Sequence, residues 1–310
     1  MKAAFLTAPQ KVVLAQIPEP TITRDDEVLI QVKCVGICGS DVHYFLHGRI
    51  GDQIVRERII LGHELAGQVV QVGPRVTKVK KGDRVAVEPG ISCGQCSQCH
   101  QGKPNLCSRV IFLGTPPVDG ALREFLVMPE GNVIKLPEQL SYREGALAEP
   151  LAIGVYAVGL SRFKPGQTVA VIGAGPIGLS VIFTLSGSCS SLFASDLFSW
   201  RLQMAQAIGA TDTVLASQQS LVDQVAKKIQ DGVDVVFEAA GKEETFQQCL
   251  ALARISGELV FIGIPDQETI SLNPHLLRRK ELTVTNVRRS AHTTEIALNL
   301  LAKKPGVFSR

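Results

Sequence analysis

An apolar run, Thr168-Val169-Ala170-Val171-Ile172, feeds directly into Gly173-Ala174-Gly175-Pro176-Ile177-Gly178. A Gly-x-Gly-x-x-Gly spacing between a strand and a helix dictates a tight turn, close packing of helix on strand, and close approach of the backbone to an anion. The free N–H groups and the dipole at the helix start favour a pyrophosphate there. Such a unit belongs in a parallel sheet with helices on both faces, so it constrains everything folded around it.

The rest of the second half keeps that rhythm. Strand patterns are read at Leu192-Phe193-Ala194-Ser195, Val233 to Glu238, Glu258 to Ile262 and Leu282 to Thr285, with helical stretches near 201–208, 221–229 and 243–253 between them. Together they predict a doubly wound parallel sheet. Asp196 closes the strand after the glycine loop, where a carboxylate accepts hydrogen bonds from an adenosine ribose and repels a 2′-phosphate. That favours NAD over NADP, and the nearby Arg201 softens the preference. Between Gln167 and Ser195 there is no charged residue, a length that would suit a membrane span. Glycines at 173, 175, 178 and 187 and Pro176 interrupt it, so a buried strand-turn-helix-strand is expected, and no membrane association.

The first half reads differently. Short β patterns cut by Pro and Gly (27–33, 68–72, 84–87) predict a compact antiparallel barrel or sandwich. Within it lie Cys93, Cys96, Cys99 and Cys107, half of the chain's 8 cysteines. Four thiolates at short spacing can close a tetrahedral zinc shell with no open position, which pins a loop and does no chemistry. An iron–sulfur cluster is the alternative. Without a recognisable secretion signal, metal binding explains the cluster better than a disulfide framework.

Two further segments carry possible ligands. Cys38-Gly39-Ser40-Asp41-Val42-His43 offers a thiolate, a hydroxyl two residues on, and an imidazole able to pass a proton to water. The plain alternative is a buried thiol, a turn serine and a surface histidine. Gly62-His63-Glu64 offers an imidazole and a carboxylate to one divalent ion; the plain alternative is a strand end. Ser141-Tyr142-Arg143-Glu144 has capping-box spacing and opens a helix-like run containing Glu149-Pro150-Leu151. A carboxylate in so apolar a stretch calls for a cation or a proton, unless it lies on an exposed face. The formal charge of +3 and the absence of a basic stripe argue against nucleic acid.

Taken together, these residues resemble the zinc-dependent medium-chain dehydrogenases, in the sorbitol (polyol) dehydrogenase branch. The likeness rests on the segment from Gly62 to Gly73, on His47-Gly48-Arg49-Ile50-Gly51, on Gly145 to Leu151 and on Gly173 to Gly178. It implies a GroES-like β-rich catalytic domain over 1–154, a Rossmann domain over 155–289, and the start of a return to the catalytic domain over 290–310. It implies a catalytic zinc on Cys38, His63 and Glu64, with Glu149 on the metal's water or as an alternate ligand, and a structural zinc on the four clustered cysteines. Tyr44, Phe112, Thr115 and Arg288 would line the substrate pocket. NAD would be held by Gly173, Gly175, Pro176, Ile177, Gly178, Asp196, Arg201, Ile262, Gly263 and Ile264.

The implied activity is oxidation of a secondary alcohol of a polyol, sorbitol- or xylitol-like, to the ketone. Hydride would pass to NAD and the proton would leave through Ser40, the nicotinamide ribose and His43. The implied setting is a cytoplasmic homo-oligomer, tetramer or dimer. An L-threonine 3-dehydrogenase-like enzyme, another zinc alcohol dehydrogenase and a non-catalytic zinc- or NAD-binding protein are the alternatives. Arg289 stands where the polyol branch has a tyrosine, leaving the substrate open. The chain stops at Arg310, short of the family's usual length, so either a fragment or a site on incomplete support is expected.

Overall fold

Buried and half-buried residues alternate over the first half of the first long strand, Glu27–Gly36, with Val28 and Ile30 fully buried, as one face of a sheet packed on a core requires. The computed structural model describes residues 1–308. It divides into two units, Met1–Glu149 with the residues from Thr294 onward, and Pro150–Thr293.

The first unit is built on an antiparallel five-stranded sheet ordered Phe125–Pro129, Glu27–Gly36, Glu64–Val72, Arg84–Val87, Val133–Lys135. A second antiparallel sheet joins Lys11–Gln16, Lys2–Ala8 and Ile59–Ile60. Val28, Ile30, Leu65, Val69, Val85 and Leu126 form the core of the larger sheet. The expected strand over 68–72 starts four residues earlier, at Glu64. Gly67 permits this extension: a Cβ there would lie 2.4 Å from the Gln31 carbonyl oxygen, so only glycine lets the two strands approach so closely. Register then sets Gly36 opposite Glu64.

The expected helix after Ser141 is two helices, Tyr142–Ala146 and Ala148–Leu160. The capping box forms: Ser141 Oγ accepts the Glu144 N–H, and Glu144 Oε2 accepts the Ser141 N–H. The other Glu144 oxygen accepts the Gly306 N–H at 2.6 Å, just past the helix Thr294–Lys303. The helix Thr294–Lys303 groups with the first unit, and the last two residues of the expected return over 290–310 lie outside the described ones.

The second unit is a parallel six-stranded sheet ordered Asp212–Leu215, Ser191–Asp196, Thr168–Ile172, Val233–Glu238, Ala253–Phe261, Thr283–Asn286. Counted in chain order this is 3-2-1-4-5-6, whose switch point falls beside the glycine loop. Asp212–Leu215 escaped the sequence reading because it is a short edge strand that opens on two polar residues, Asp212 and Thr213. The uncharged stretch is core: Val169, Ala170, Val171 and Ala194 are fully buried. The helix Pro176–Leu185 stops at the Ser186-Gly187 turn, where Gly187 takes φ 75°. Among the described residues no helix is long and apolar enough to cross a membrane. Lys280 Nζ donates to the carbonyls of Leu250 (2.8 Å), Ala251 (3.1 Å) and Ala253 (2.6 Å), satisfying the end of the helix Glu243–Leu252.

Candidate active site

The strand pairing of Gly36 with Glu64 brings two chain segments side by side, and both carry ligand-type side chains just past that point. Cys38 is the N-cap of the helix Gly39–His47; His63 immediately precedes the strand Glu64–Val72. The Cys38 sulfur, a His63 ring nitrogen and a Glu64 carboxylate oxygen lie within 4.8 Å of one another. Gly36 makes room for this: a Cβ there would stand 2.2 Å from Glu64 Oε2.

The donor chemistry fits a divalent cation. Burial first, then the Glu64 and Glu149 carboxylates, push the Cys38 thiol up to about 12, against which the Ser40 hydroxyl and N–H work. Burial pushes Glu64 up to about 7, the Asp41 charge adding to it. Glu149, 7% exposed at the start of its helix, is raised well above the usual carboxylate range by burial and then by Glu64, Glu88 and Asp41. Three acids gathered in so little water are each pushed toward the protonated form, a push that a bound cation would oppose. A sulfur, a nitrogen and an oxygen converging there suit zinc. Glu149 is not one of the three convergent ligands, but it is close enough to bear on both Glu64 and Cys38.

Asp41 was not singled out in the sequence. It is 3% exposed; Oδ2 accepts the Cys38 N–H and Oδ1 the Gly62 N–H, both at 3.0 Å, and Oδ1 stands 3.8 Å from His63 Nδ1. One carboxylate thus ties together the two ligand-bearing segments. Its only trace in the sequence is an acid three residues after a possible ligand, a pattern that any helix start shares. Ser40 and His43 lie on one helix three residues apart, both half-buried. Phe112 packs on the His63 ring with centroids 5.4 Å apart, and Thr115 follows in the next turn, its N–H on the Phe112 carbonyl. Tyr44 sits in a core cluster with Leu6, Ile59 and Leu61 and donates its hydroxyl to Gln53. Arg288 belongs to the second unit and is exposed there.

The four-cysteine cluster gathers as its spacing suggests. Sulfur–sulfur distances are 3.9 Å for Cys93–Cys99, 3.5 Å for Cys96–Cys99 and 3.4 Å for Cys93–Cys107. A tetrahedron with zinc–sulfur bonds of about 2.3 Å has edges of roughly 3.8 Å. The Gln95 N–H, with neighbouring donors, draws the Cys93 thiol down to about 6, toward the thiolate a metal needs.

In the second unit, Gly173 takes φ 90°, and a Cβ on Gly178 would fall 1.7 Å from the Gly173 carbonyl oxygen, so loop and helix touch. Gly175 is the opposite: a Cβ there would meet nothing nearer than Arg201 Nη1 at 4.0 Å, which leaves open space over an N-cap without side-chain capping. That space suits a pyrophosphate, with Pro176 and Ile177 starting the helix below it. Asp196 closes its strand; Oδ2 accepts the Ala174 N–H at 2.8 Å, Oδ1 the Phe198 N–H at 2.9 Å, and Arg201 Nη1 lies 3.4 Å from Oδ2.

Glu238 is the residue missed in this unit. Fully buried, its Oε1 accepts from the N–H groups of Ala240 and Gly241 and from Thr245 Oγ1, and its carbonyl accepts the N–H groups of Ile262 and Gly263. It shapes both loops at that end of the sheet, where Ile264 stands 51% exposed. An acid ending a strand gives no sequence sign of such burial.

Comparison with known proteins agrees with this arrangement. The alcohol dehydrogenase GroES-like domain family matches residues 24–138, and the zinc-binding dehydrogenase family matches residues 176–303. Sorbitol dehydrogenase of Bacillus subtilis is 40% identical over 304 residues, 97% of this chain and 86% of that protein. An Escherichia coli oxidoreductase/dehydrogenase of unknown specificity superposes with a TM-score of 0.92 at 35% identity, over 99% of this chain and 88% of that one. A zinc-binding dehydrogenase of Sinorhizobium meliloti, determined bound to NADP, gives a TM-score of 0.86 at 33% identity, over 97% and 88% of the two chains. With a ligand set in one unit, a glycine loop in a 3-2-1-4-5-6 sheet in the other, and relatives matching nearly end to end, the chain belongs to the zinc-dependent medium-chain dehydrogenases, in their polyol dehydrogenase branch.

Proposed function

We propose that this protein oxidises a secondary alcohol of a polyol, of the sorbitol or xylitol kind, to the ketone and passes the hydride to NAD. The observation that carries the reading is the convergence of Cys38, His63 and Glu64, in a chain whose other unit presents an open glycine loop. Similarity to a sorbitol dehydrogenase supports the choice of polyol. Met1–Glu149 with the residues from Thr294 onward serves as the catalytic domain and Pro150–Thr293 as the nucleotide domain.

In this reading Cys38, His63 and Glu64 hold the catalytic zinc, with Glu149 in reserve as an alternate ligand, and Cys93, Cys96, Cys99 and Cys107 hold the structural zinc. The catalytic zinc, when bound, supplies Lewis acidity that lowers the pKa of a substrate hydroxyl, and the nicotinamide supplies a hydride acceptor. The protein's own work is positional. Ser40, already hydrogen-bonded to Cys38, takes the hydroxyl proton, and His43, one turn along, hands it to water. Asp41 fixes the two ligand segments in register with each other. Phe112 holds the plane of the His63 ring and keeps water from one side of it.

Tyr44, Thr115 and Arg288 complete the proposed substrate residues; Tyr44 acts from its buried position by holding Gln53. Asp196 keeps a lone pair for the ribose hydroxyls after accepting two backbone N–H groups and one from Arg201, and its charge disfavours a 2′-phosphate. Ile262, Gly263 and Ile264 edge the same end of the sheet as the glycine loop. All eight cysteines are free of disulfides, which supports a reducing, cytoplasmic setting. Family likeness supports a homo-oligomer, dimer or tetramer.

The test is metal content together with turnover on sorbitol, xylitol and L-threonine, with NAD and with NADP. Two zinc ions per chain and NADH formed from a polyol are expected. Turnover on threonine alone would move the protein to the threonine branch, and no turnover on any alcohol would make it a binding protein.

A further inference from the structure

The cysteine cluster makes polar contacts beyond its own four sulfurs. Arg109, two residues past Cys107, reaches it twice: its backbone N–H donates to Cys107 Sγ and its Nη2 to Cys93 Sγ, each at 3.4 Å. The Cys93 N–H also donates to Cys107 Sγ at 3.4 Å. The first and last cysteines of the loop are thus bound to each other and, through one arginine, to a positive charge. Cys107 is buried (5% exposed) and needs little cover, whereas Cys93 is half-buried and has the guanidinium laid against it.

A divalent ion on four thiolates leaves two negative charges in excess, and outer partners that donate to the sulfurs spread that charge. A chance contact of a surface arginine would carry little weight. Here, however, the backbone bond to Cys107 anchors the residue whose side chain covers Cys93, so the geometry is preset. Arginine suits the position because its planar fork stays charged at any working pH.

We propose that Arg109 is the outer-sphere counter-ion of the four-cysteine zinc site and sets how tightly that site keeps its metal. It is a positioning residue that acts through Cys93 and Cys107 and touches no substrate. The inference rests on the reading of the cluster as a zinc site, and the experiment separates the two.

Zinc is titrated out of the wild-type protein, Arg109→Gln and Arg109→Lys with a chromogenic chelator, and cobalt-loaded samples are followed by thiolate-to-metal absorption. Arg109→Gln is expected to weaken metal retention at the cluster by about 10–100-fold while the other zinc is released as in wild type. Arg109→Lys, which keeps the charge, should recover part of the loss, and the gap between wild type and Gln should narrow as salt rises. Metal-free wild type and Arg109→Gln should melt together, which a purely structural arginine would not allow. Cluster metal released from Arg109→Gln within twofold of wild type would overturn the role of Arg109. A wild-type protein that binds one zinc per chain and shows no tetrathiolate cobalt spectrum would remove the cluster reading and this inference with it.

Discussion

Gly175 and Gly178 share one loop, yet their surroundings call for opposite outcomes when each gains a methyl group. A Cβ at Gly178 would stand 1.7 Å from the Gly173 carbonyl oxygen, whereas non-bonded carbons settle at about 3.5–4.0 Å from their neighbours. Gly173 has little freedom to withdraw: it holds φ 90°, donates its N–H to the Ser195 carbonyl at 2.8 Å, and lies against Ala239 and Ala240. Gly178→Ala must therefore push the helix start off the sheet, an overpacking that costs about 1–3 kcal/mol. At about 2–4 °C per kcal/mol for a chain of 150–250 residues, a fall of several degrees in Tm is expected. Gly175→Ala meets nothing nearer than 4.0 Å, and its φ of −70° suits alanine, so its stability should stay within about 0.5 kcal/mol of wild type and its Tm close to it. Its methyl instead fills the space over the helix N-terminus, and NADH affinity should fall at least tenfold, about 1.4 kcal/mol. Thermal melts paired with NADH fluorescence titrations read both effects. A Gly175→Ala protein that binds NADH with the wild-type Kd would show that the open space is not the cofactor's. A Gly178→Ala protein that melts with wild type would show that the loop relaxes more easily than its contacts imply.

Three further outcomes are expected. His63→Ala should abolish turnover and remove one zinc while NADH still binds; retained activity would end the assignment of His63 to the catalytic metal. Asp196→Ala should erode the preference for NAD over NADP in kcat/KM, and an unchanged ratio would leave Asp196 only its role in holding Ala174 and Phe198. Asp234 is held below the usual carboxylate range: partial burial opposes its ionisation, but the Thr168 N–H and hydroxyl and the Arg254 guanidinium outweigh it. Its stabilising effect is therefore complete above the unfolded value of about 3.9 and disappears as pH falls through the lower folded value. Melts between pH 6 and about 3 should show a shallower acid loss for Asp234→Asn than for wild type, and parallel curves would contradict this linkage.

What was legible in the sequence is what depends on spacing along the chain. Four cysteines between 93 and 107 need only a short loop to meet, and their sulfurs do lie 3.4–3.9 Å apart in the pairs that touch. Gly173 to Gly178 implies its own turn, because the steric demand of helix on strand is local. Strand and helix alternation announced the parallel sheet for the same reason. The three-residue metal set is another matter. Cys38 and His63 belong to different segments, and only the register that pairs Gly36 with Glu64 makes them neighbours. Asp41 and Glu238 were invisible for a related reason. A carboxylate's worth depends on which N–H groups converge on it and how little water reaches it, and both are properties of packing. The amino-acid sequence thus determined the chemistry the chain can offer, loop by loop. Tertiary structure decided which of those groups share one small, dry space, and hence which of them are pushed from their ordinary proton affinities into a site fit for a metal.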